Sequence, residues 1–436
     1  MATEEGILDF VLPVILYIGS IFARSVDSTP LAEAAAEAMK AGWDSPAGFV
    51  PNPYFIQALM LYSIAVYWCD EPERGREFLD EAINGAFILG MHQRDFAEQN
   101  GNGDPVLEES WRRTWWQMHV TDVHIAGSTH TFQGLSVKLP ITTDLPCEEQ
   151  CYETGLIPLP ASLKNYDIRE FSDMEFSSFA HLIGFTQGIS RVLATRRHNN
   201  PADIKLTCAN ADTMMTAWCS LLPAPKRRLL RDDGSVDELL FKAKILMYTY
   251  IVDLHRQLST LYASGIEPIS KCAPTPPAAS NKTIKEDAHI HTAKVLFAIE
   301  KFNSLLTLPI RFSTQTPFIV CMIANMTIAH LSACRYVYRE PRLSLERDKI
   351  RLKMGVLKML GEFWVAGKRE YATLGTIARE ILALKEEEIH IPKRTPILPL
   401  ESLDYNFQDF DPNWAYETFG NGNGQFSFDI PVGPLV

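Results

Sequence analysis

The alternation of apolar and polar positions predicts helices along most of this chain. The densest signal covers residues 104–126, where Trp111 and Trp115 stand one helical turn apart within a largely apolar run. Asp104 can accept hydrogen bonds from the first free N–H groups, and Pro105 suits the first helical position. Apolar residues occupy most of the circumference of this segment, so we expect a long central helix that other helices cover on several sides.

The charged residues near the start of this segment predict which of its sides faces solvent. Glu108 and Glu109 precede Arg112 and Arg113 by four residues, the spacing at which unlike charges meet on a helix surface. Such pairs stabilise exposed helices by about 0.2–0.5 kcal/mol each. We therefore expect these four side chains to lie on the exposed side of the helix.

The same periodicity predicts further helices before and after the central one. Residues 53–69 and 73–91 are separated only by a short break that contains Pro72, which predicts an antiparallel helix pair. An irregular stretch at 128–172 and a proline-rich surface linker at 266–280 interrupt the pattern. These elements predict an all-α fold of antiparallel helix pairs around a central buried helix. The other predicted helices cover residues 173–198, 203–222, 236–263, 284–308, 316–339, 345–366 and 368–385.

The most apolar run of the chain, residues 7–23, raises the question of membrane insertion. It is shorter than the roughly 20 residues that span a bilayer comfortably, and it contains Asp9 and Pro13. Glu4 and Glu5 precede it, whereas a secretory signal begins with basic residues. We therefore predict a buried helix and no membrane contact, and we expect all eight cysteines to be reduced thiols.

A pattern of residues in the central helix and the loop after it matches a known signature. The residues of the pattern are Glu109, Arg112, Arg113, Trp116, Asp122 and Gly127, then Leu139-Pro140 and Asp144-Leu145-Pro146. This pattern resembles the fungal-specific transcription factor domain, the all-helical middle homology region of fungal zinc-cluster transcription factors. Segments at 82–92, 316–336 and 351–364 are similar to the same family. The resemblance therefore covers about residues 1–390 and implies one helical regulatory domain at 1–394.

The resemblance implies a nuclear, non-enzymatic regulator of transcription. It further implies protein partners, either the transcription machinery or a DNA-binding regulator, together with a small-molecule effector and possible homodimers. Family members usually carry a six-cysteine zinc cluster, a basic linker and often a coiled coil, none of which this sequence contains. We therefore expect either a truncated form or a regulator that works through partners. The net charge of −12 leaves few contacts for phosphate groups, so we do not expect DNA binding by this chain alone.

The spacing of cysteines and histidines predicts no metal site. The pairs that stand close in the sequence are Cys147 and Cys151, His119 and His124, and His289 and His291. Zinc needs several thiolate or imidazole ligands at tight spacing, and residues two or five apart do not share a helix face. We therefore expect no metal and no cofactor, and the sequence assigns no cofactor-binding residues.

An all-α chain of this size could also be an enzyme of the terpene-cyclase type, which holds magnesium on facing carboxylates. The only candidate residues are Asp232, Asp233 and Asp237, and the glycine and serine between them favour a turn over a helical carboxylate stripe. The sequence contains no glycine-rich phosphate loop and no nucleophile elbow. We therefore predict no catalytic residues. A helical scaffold protein without a role in transcription is a second alternative.

Two segments, residues 226–228 and the C-terminal tail, are candidates for regulatory signals. Lys226, Arg227 and Arg228 follow a proline-containing break and could act as a nuclear import signal, although a solvated loop with helix-flanking charges explains them equally well.

The C-terminal tail, residues 395–436, has no lysine or arginine and interleaves acidic residues with aromatic ones. This composition is typical of disordered activation segments, in which charge keeps aromatic side chains in solution until a partner takes them. Phe407, Phe410 and Trp414 are the candidate contact residues. The alternative is a strap whose aromatic rings pack back onto the helical domain.

Overall fold

The all-α prediction is confirmed. The computed structural model describes residues 7–23, 25–43, 52–129, 134–195, 201–273 and 287–383. Within these ranges the chain forms sixteen α-helices, one π-helical turn and three 3-10 turns. The described residues form no strand, and two isolated bridges join Leu145 to Ala161 and Leu230 to Val236.

The helices are numbered here in chain order. A π-helical turn at Ile7–Val11 leads into the first of them, and 3-10 turns occur at Arg169–Phe171, Glu267–Ile269 and Phe312–Thr314. The α-helices are α1 Leu12–Phe22, α2 Thr29–Trp43, α3 Pro53–Trp68, α4 Pro72–Leu89, α5 Asp95–Asn100, α6 Pro105–Ser128, α7 Glu149–Thr154, α8 Leu163–Asp167, α9 Ser178–Ala194, α10 Pro201–Ser220, α11 Ala224–Arg227, α12 Glu238–Arg256, α13 Ala288–Leu305, α14 Ile319–Tyr336, α15 Arg342–Leu360 and α16 Val365–Ala383.

Helix α6 is the central helix that the sequence predicts. The Asp104 carboxylate accepts a hydrogen bond from the Val106 amide at 2.9 Å, which satisfies one of the free N–H groups at the helix start. From Thr114 to Gly127, every residue except Gln117 is buried. Helices α3, α4, α5 and α9 pack around it. The prediction of a helix covered on several sides is confirmed.

The predicted antiparallel pair is also present, as α3 and α4. The two helices approach so closely that a Cβ on Gly75 would lie 2.6 Å from the Tyr67 backbone, so glycine is required there. Trp68 at the end of α3 packs edge-on against Phe318, with ring centroids 5.2 Å apart. This aromatic contact ties the first helix pair to the start of α14.

Helices α12 to α16 form the second half of the core. Helix α14 packs against α12, α13, α15 and α16. By length and composition it is the one helix of the described residues that could cross a membrane, but 83% of its apolar window is buried inside the protein. It therefore has the surroundings of a core helix.

The prediction of a buried N-terminal helix is wrong for one face of α1. Val14 is fully buried, whereas Ile15 and Leu16 of α1, and Leu8 of the π-helical turn before it, are about half exposed. The helix packs mainly against α2 and α3, and Phe22 at its end contacts Phe363 and Trp364, so these neighbours cover one side of it. Periodicity could not reveal this, because the segment is apolar all round.

The predicted surface linker is wrong for residues 266–273. Glu267 is buried and accepts a hydrogen bond from the Arg256 guanidinium at 2.7 Å, which anchors this segment to the core. Residues 274–280 lie outside the described residues. Cys272 forms a disulfide with Cys321 of α14, with Cα atoms 5.0 Å apart. The expectation of eight reduced thiols is therefore wrong for this pair, because it considered the cellular compartment and not the distance between side chains.

Truncating Trp115 should destabilise the whole domain. The indole is fully buried beneath α4, where it contacts Phe87 with ring centroids 5.5 Å apart. Trp115→Ala should lower the free energy of unfolding by about 3–5 kcal/mol, because it removes apolar contacts and leaves a cavity. Urea unfolding measures this change. Ile88→Ala, at an exposed position of α4, is the matched control and should change the free energy by less than about 0.5 kcal/mol. Equal effects would show that α6 is not the core.

Candidate functional site

The signature residue Glu109 is a buried carboxylate held by three donors. Its side chain is 1% exposed. Oε2 accepts from Arg112 Nε at 2.9 Å, and Oε1 accepts from Arg113 Nε at 3.0 Å. Oε1 also accepts from the Cys147 backbone N–H at 2.9 Å. We expected the side chains of Glu108, Glu109, Arg112 and Arg113 to lie on an exposed side of the helix. This expectation is wrong for Glu109 and Arg112, because the loop before α7 and the neighbouring helices cover them.

Arg113 extends this network to the loop that follows α6. Its guanidinium donates to the Glu149 carboxylate at 2.8 Å and to the Cys147 carbonyl at 3.0 Å. It also lies over the ring of Tyr152, 4.3 Å from the ring centroid. Glu109 and Arg113 together therefore bind both backbone groups of Cys147 and fix the loop at this point.

Trp116 and Asp122 hold the earlier part of the same loop. The indole N–H of Trp116 donates to the Asp144 carbonyl at 2.8 Å. The buried Asp122 carboxylate accepts from the Ser136 amide at 2.7 Å and pairs with Arg76 of α4 at 2.8 Å. A Cβ on Gly134 would lie 2.6 Å from this carboxylate, which explains the glycine. Four signature residues, Glu109, Arg113, Trp116 and Asp122, thus attach residues 134–148 to the central helix.

The attached loop forms one wall of a cavity of about 500 Å³. Residues 158–177, helix α9 and the segment around α11 form the other walls. Leucine, methionine, phenylalanine and five prolines supply apolar surface. The polar and ionisable side chains of the wall are Glu109, Cys147, Glu148, Cys151, Arg169, Ser172, Glu175, Ser177, His181 and Lys226. A mainly apolar cavity of this size with a few polar groups is the usual form of a small-molecule site.

In this wall, His181 has one ring nitrogen with a hydrogen-bond partner and one without. The residue is buried, and its Nδ1 lies 3.1 Å from the Tyr166 hydroxyl. Nε2 has no hydrogen-bond partner among the described residues. Burial, with the nearby charges of Lys226 and Arg169, lowers the pKa of His181 to about 3, so the ring is neutral near pH 7. A tyrosine hydroxyl that donates to Nδ1 leaves the imidazole proton on Nε2, where it can donate to a ligand.

Arg169 offers a second donor in the same wall. Its guanidinium lies 4.2 Å from the centroid of the Tyr166 ring and donates to the Tyr166 carbonyl at 2.9 Å. Its Nε is buried without a hydrogen-bond partner in the described part of the chain. The Cys147 thiol adds no charge, because burial raises its pKa to about 11. Two residues of the cavity wall, His181 and Arg169, therefore each hold one buried side-chain nitrogen without a hydrogen-bond partner among the described residues.

The proposed import residues have intramolecular partners. Lys226 is partly buried and contacts the Glu148 carboxylate and the Ser178 hydroxyl. Arg227 donates to the carbonyls of Leu222 and Ser220 near the end of α10. Arg228 is half-exposed and pairs with Asp232. An import receptor would have to compete with these contacts, so the structure offers no support for the import hypothesis, which stays untested.

The carboxylates of the terpene-cyclase alternative do not converge. Asp232 is exposed, and Asp233 accepts from the amide and hydroxyl of Ser235 within a turn. Asp237 caps α12 by accepting from the Leu240 amide. Each carboxylate therefore has a separate local partner. Residues Phe407, Phe410 and Trp414 lie outside the described residues.

The histidine pairs found by spacing separate in the structure. His119 is buried between Ser136 and Gln187, with its ring nitrogens 2.9 and 3.1 Å from their side chains. His124 is buried without a partner for either nitrogen among the described residues. A cluster that sequence spacing missed joins His291 to His255 and Cys208. These three residues belong to different helices, so the sequence carried no signal of their proximity.

Comparison with known proteins gives one informative match. The chain is 31% identical over 337 residues to the C6 finger domain transcription factor iacK of Pestalotiopsis fici. The match covers 76% of this chain and 49% of that protein, so the chain spans about half the length of this curated relative. No protein-family model matches the chain. No solved structure matches it either.

Removing the Glu109 carboxylate should destabilise both the helix and its loop. Glu109→Ala leaves two guanidinium groups without their buried counter-charge, so the free energy of unfolding should fall by about 3–5 kcal/mol. Chemical denaturation measures the fall. Glu108→Ala is the matched control, because Glu108 is partly exposed and 3.8 Å from Arg112, so its removal should cost less than about 1 kcal/mol. A small effect of Glu109→Ala would contradict the role of this carboxylate.

His181 should make stability depend on pH. The unfolded chain binds a proton at this residue below about pH 6.5, whereas the folded chain binds it only near pH 3. The free energy of unfolding should therefore decrease as the pH falls through this window, by roughly 2 kcal/mol between pH 6.5 and pH 5 from this residue. His181→Gln should remove that part of the decrease in urea titrations at the two pH values. His289→Gln, at an exposed position, should leave it unchanged. Identical pH profiles for wild type and His181→Gln would refute the assignment.

Proposed function

We propose that this chain is the helical regulatory part of a fungal transcriptional regulator. The observation that carries the proposal is its similarity to a C6 finger transcription factor over 76% of the chain. The network of Glu109, Arg113 and Asp122 agrees with the signature that the sequence resembles, because these residues organise one continuous structural unit. Regulation of transcription implies a nuclear location and no enzymatic activity.

We further propose that the 500 Å³ cavity binds a small-molecule effector. The support is its mainly apolar wall together with the unpartnered donors at His181 and Arg169. This chemistry suits an organic carbonyl or carboxylate compound. Because the loop at residues 145–148 forms part of the wall, an occupied cavity would stabilise the loop that Glu109 and Arg113 hold. Effector binding and the hydrogen bonds of Glu109 and Arg113 would thus both stabilise residues 145–148.

A melting-temperature screen of small carboxylates and ketones tests the cavity proposal. A compound that binds it at 100 times its Kd should stabilise the protein by about 2.7 kcal/mol. Arg169→Ala should lose this response, whereas Arg191→Ala, at an exposed position with a partner 4.0 Å away, should keep it. A response unchanged by Arg169→Ala would place the ligand elsewhere.

We propose that regulation passes through protein partners, and that residues 395–436 contact the transcription machinery. The net charge of −12 does not favour direct binding to DNA, whose backbone is also negative. The exposed apolar residues of α1 and of the π-helical turn before it, such as Ile15 and Leu8, are a surface on which a second copy could pack, so a homodimer belongs to the same proposal.

A reporter assay tests the transcriptional role. The full chain fused to a heterologous DNA-binding domain should activate a reporter, and joint replacement of Phe407, Phe410 and Trp414 by alanine should abolish activation without lowering the melting temperature. The matched control replaces the aromatic residues Phe419, Phe426 and Phe428 by alanine, and it should retain activity.

The reporter assay has two outcomes that would contradict this assignment. A silent fusion that is expressed at normal levels would contradict the activating role. A melting temperature that falls when Phe407, Phe410 and Trp414 are replaced would instead support the strap, in which these rings pack on the helical domain.

A further inference from the structure

Three potential metal ligands from three helices meet in the second half of the core. Cys208 comes from α10, His255 from the last turn of α12, and His291 from the first turn of α13. The sulfur and one ring nitrogen of each histidine all lie within 4.8 Å of one another. Cys208 and His255 are buried, and His291 is half-buried. Sulfur and imidazole nitrogen in this number are the ligands that zinc prefers in proteins.

A carboxylate next to the cluster orients one of the imidazoles. Asp212 Oδ1 lies 3.0 Å from His255 Nε2, and its Oδ2 accepts from Lys294 Nζ at 2.5 Å. The carboxylate favours a proton on Nε2, so Nδ1 of His255 keeps its lone pair. In metal sites, histidine ligands are commonly oriented in this way by a carboxylate on the other ring nitrogen.

The lone pair of His255 Nδ1 points toward the second imidazole. Nδ1 of His291 lies 2.8 Å away, which is hydrogen-bond distance. Two imidazole nitrogens that face each other at this distance share one proton between them. A metal ion that replaced the proton would gain both nitrogens as ligands.

We propose that Cys208 Sγ, His255 Nδ1 and His291 Nδ1 bind a zinc ion, with Asp212 as the residue that positions His255. On binding, Cys208 releases its thiol proton to solvent, while the proton on His291 Nδ1 moves by exchange with solvent to His291 Nε2, so that each ring keeps one N–H proton. The thiolate then neutralises one of the two charges of the ion, and the Asp212 carboxylate, which also pairs with Lys294, lies next to the site. Zinc–nitrogen bonds of about 2.0–2.1 Å in tetrahedral geometry place two nitrogens roughly 3.3 Å apart. The two rings need to separate by only about half an ångström.

Three protein ligands leave the fourth zinc position for a water molecule, and the half-buried His291 is the side from which it can enter. The ion would join α10, α12 and α13 at one point. The stability of this half of the core would then depend on zinc concentration. This site shares no residue with the signature network and does not rest on the proposed function.

Metal titration of the full chain tests the proposal. Metal-free protein, prepared with a chelator, should bind one equivalent of zinc in competition with a chromophoric chelator, and its melting temperature should rise. Cobalt in place of zinc should produce a near-ultraviolet thiolate charge-transfer band. Cys208→Ser should abolish the band and His291→Gln should weaken binding more than 100-fold. Asp212→Asn should keep the band but weaken binding by about 10–100-fold.

Matched controls separate this site from other thiols and imidazoles. Cys151→Ser and His289→Gln replace the same residue types outside the cluster and should bind zinc as the wild type does. The metal-free His291→Gln protein should melt at the temperature of the metal-free wild type, because the side chain is half-buried. If Cys208→Ser does not fold, zinc binding by His291→Gln tests the proposal instead. Absence of saturable binding, or wild-type binding by His291→Gln, would overturn the proposal.

Discussion

The burial of one carboxylate, that of Glu109, is the constraint on which the candidate site depends. A carboxylate that loses contact with water costs several kcal/mol unless charged partners and hydrogen bonds replace the water. Arg112, Arg113 and the Cys147 amide provide this replacement. One of these donors belongs to a loop distant in sequence, so satisfying the charge also fixes the loop. The cavity wall at residues 145–148 is a consequence of that requirement.

The same physical rule operates in the second half of the core. Lys353 is fully buried, and its ammonium group contacts Asn303 and His330 Nδ1, the latter at 2.8 Å. His330 Nε2 lies 2.9 Å from Glu346. Burial lowers the pKa of Lys353 to about 7 and that of His330 to about 4, while hydrogen bonds and nearby cations lower the pKa of Glu346 to about 2. Helices α13, α14 and α15 are therefore joined by a chain of polar groups that must form together.

The sequence predicts the helices well because their signals are local. The Asp104 cap and the apolar spacing of Trp111 and Trp115 depend only on neighbours within one or two turns, and the structure confirms them. The burial of Glu109 could not be predicted in this way, because its spacing from Arg113 is the one that usually marks a solvent-exposed face. The cavity and the cluster of Cys208, His255 and His291 were also missed. Both arise from segments that only the packed fold brings together.

Hydrogen–deuterium exchange of the loop tests the central claim most directly. If Glu109 and Asp122 hold residues 134–148 on α6, the amides of Cys147 and Ser136 should exchange as slowly as amides inside that helix. The amide of Ser235, bonded to Asp233 in an exposed turn, is the internal reference and should exchange rapidly. Peptides that cover residues 134–148 should therefore retain protons long after the Ser235 turn has lost them. Equally fast exchange in both segments would contradict the account, since it would show that the buried carboxylates do not fix the loop.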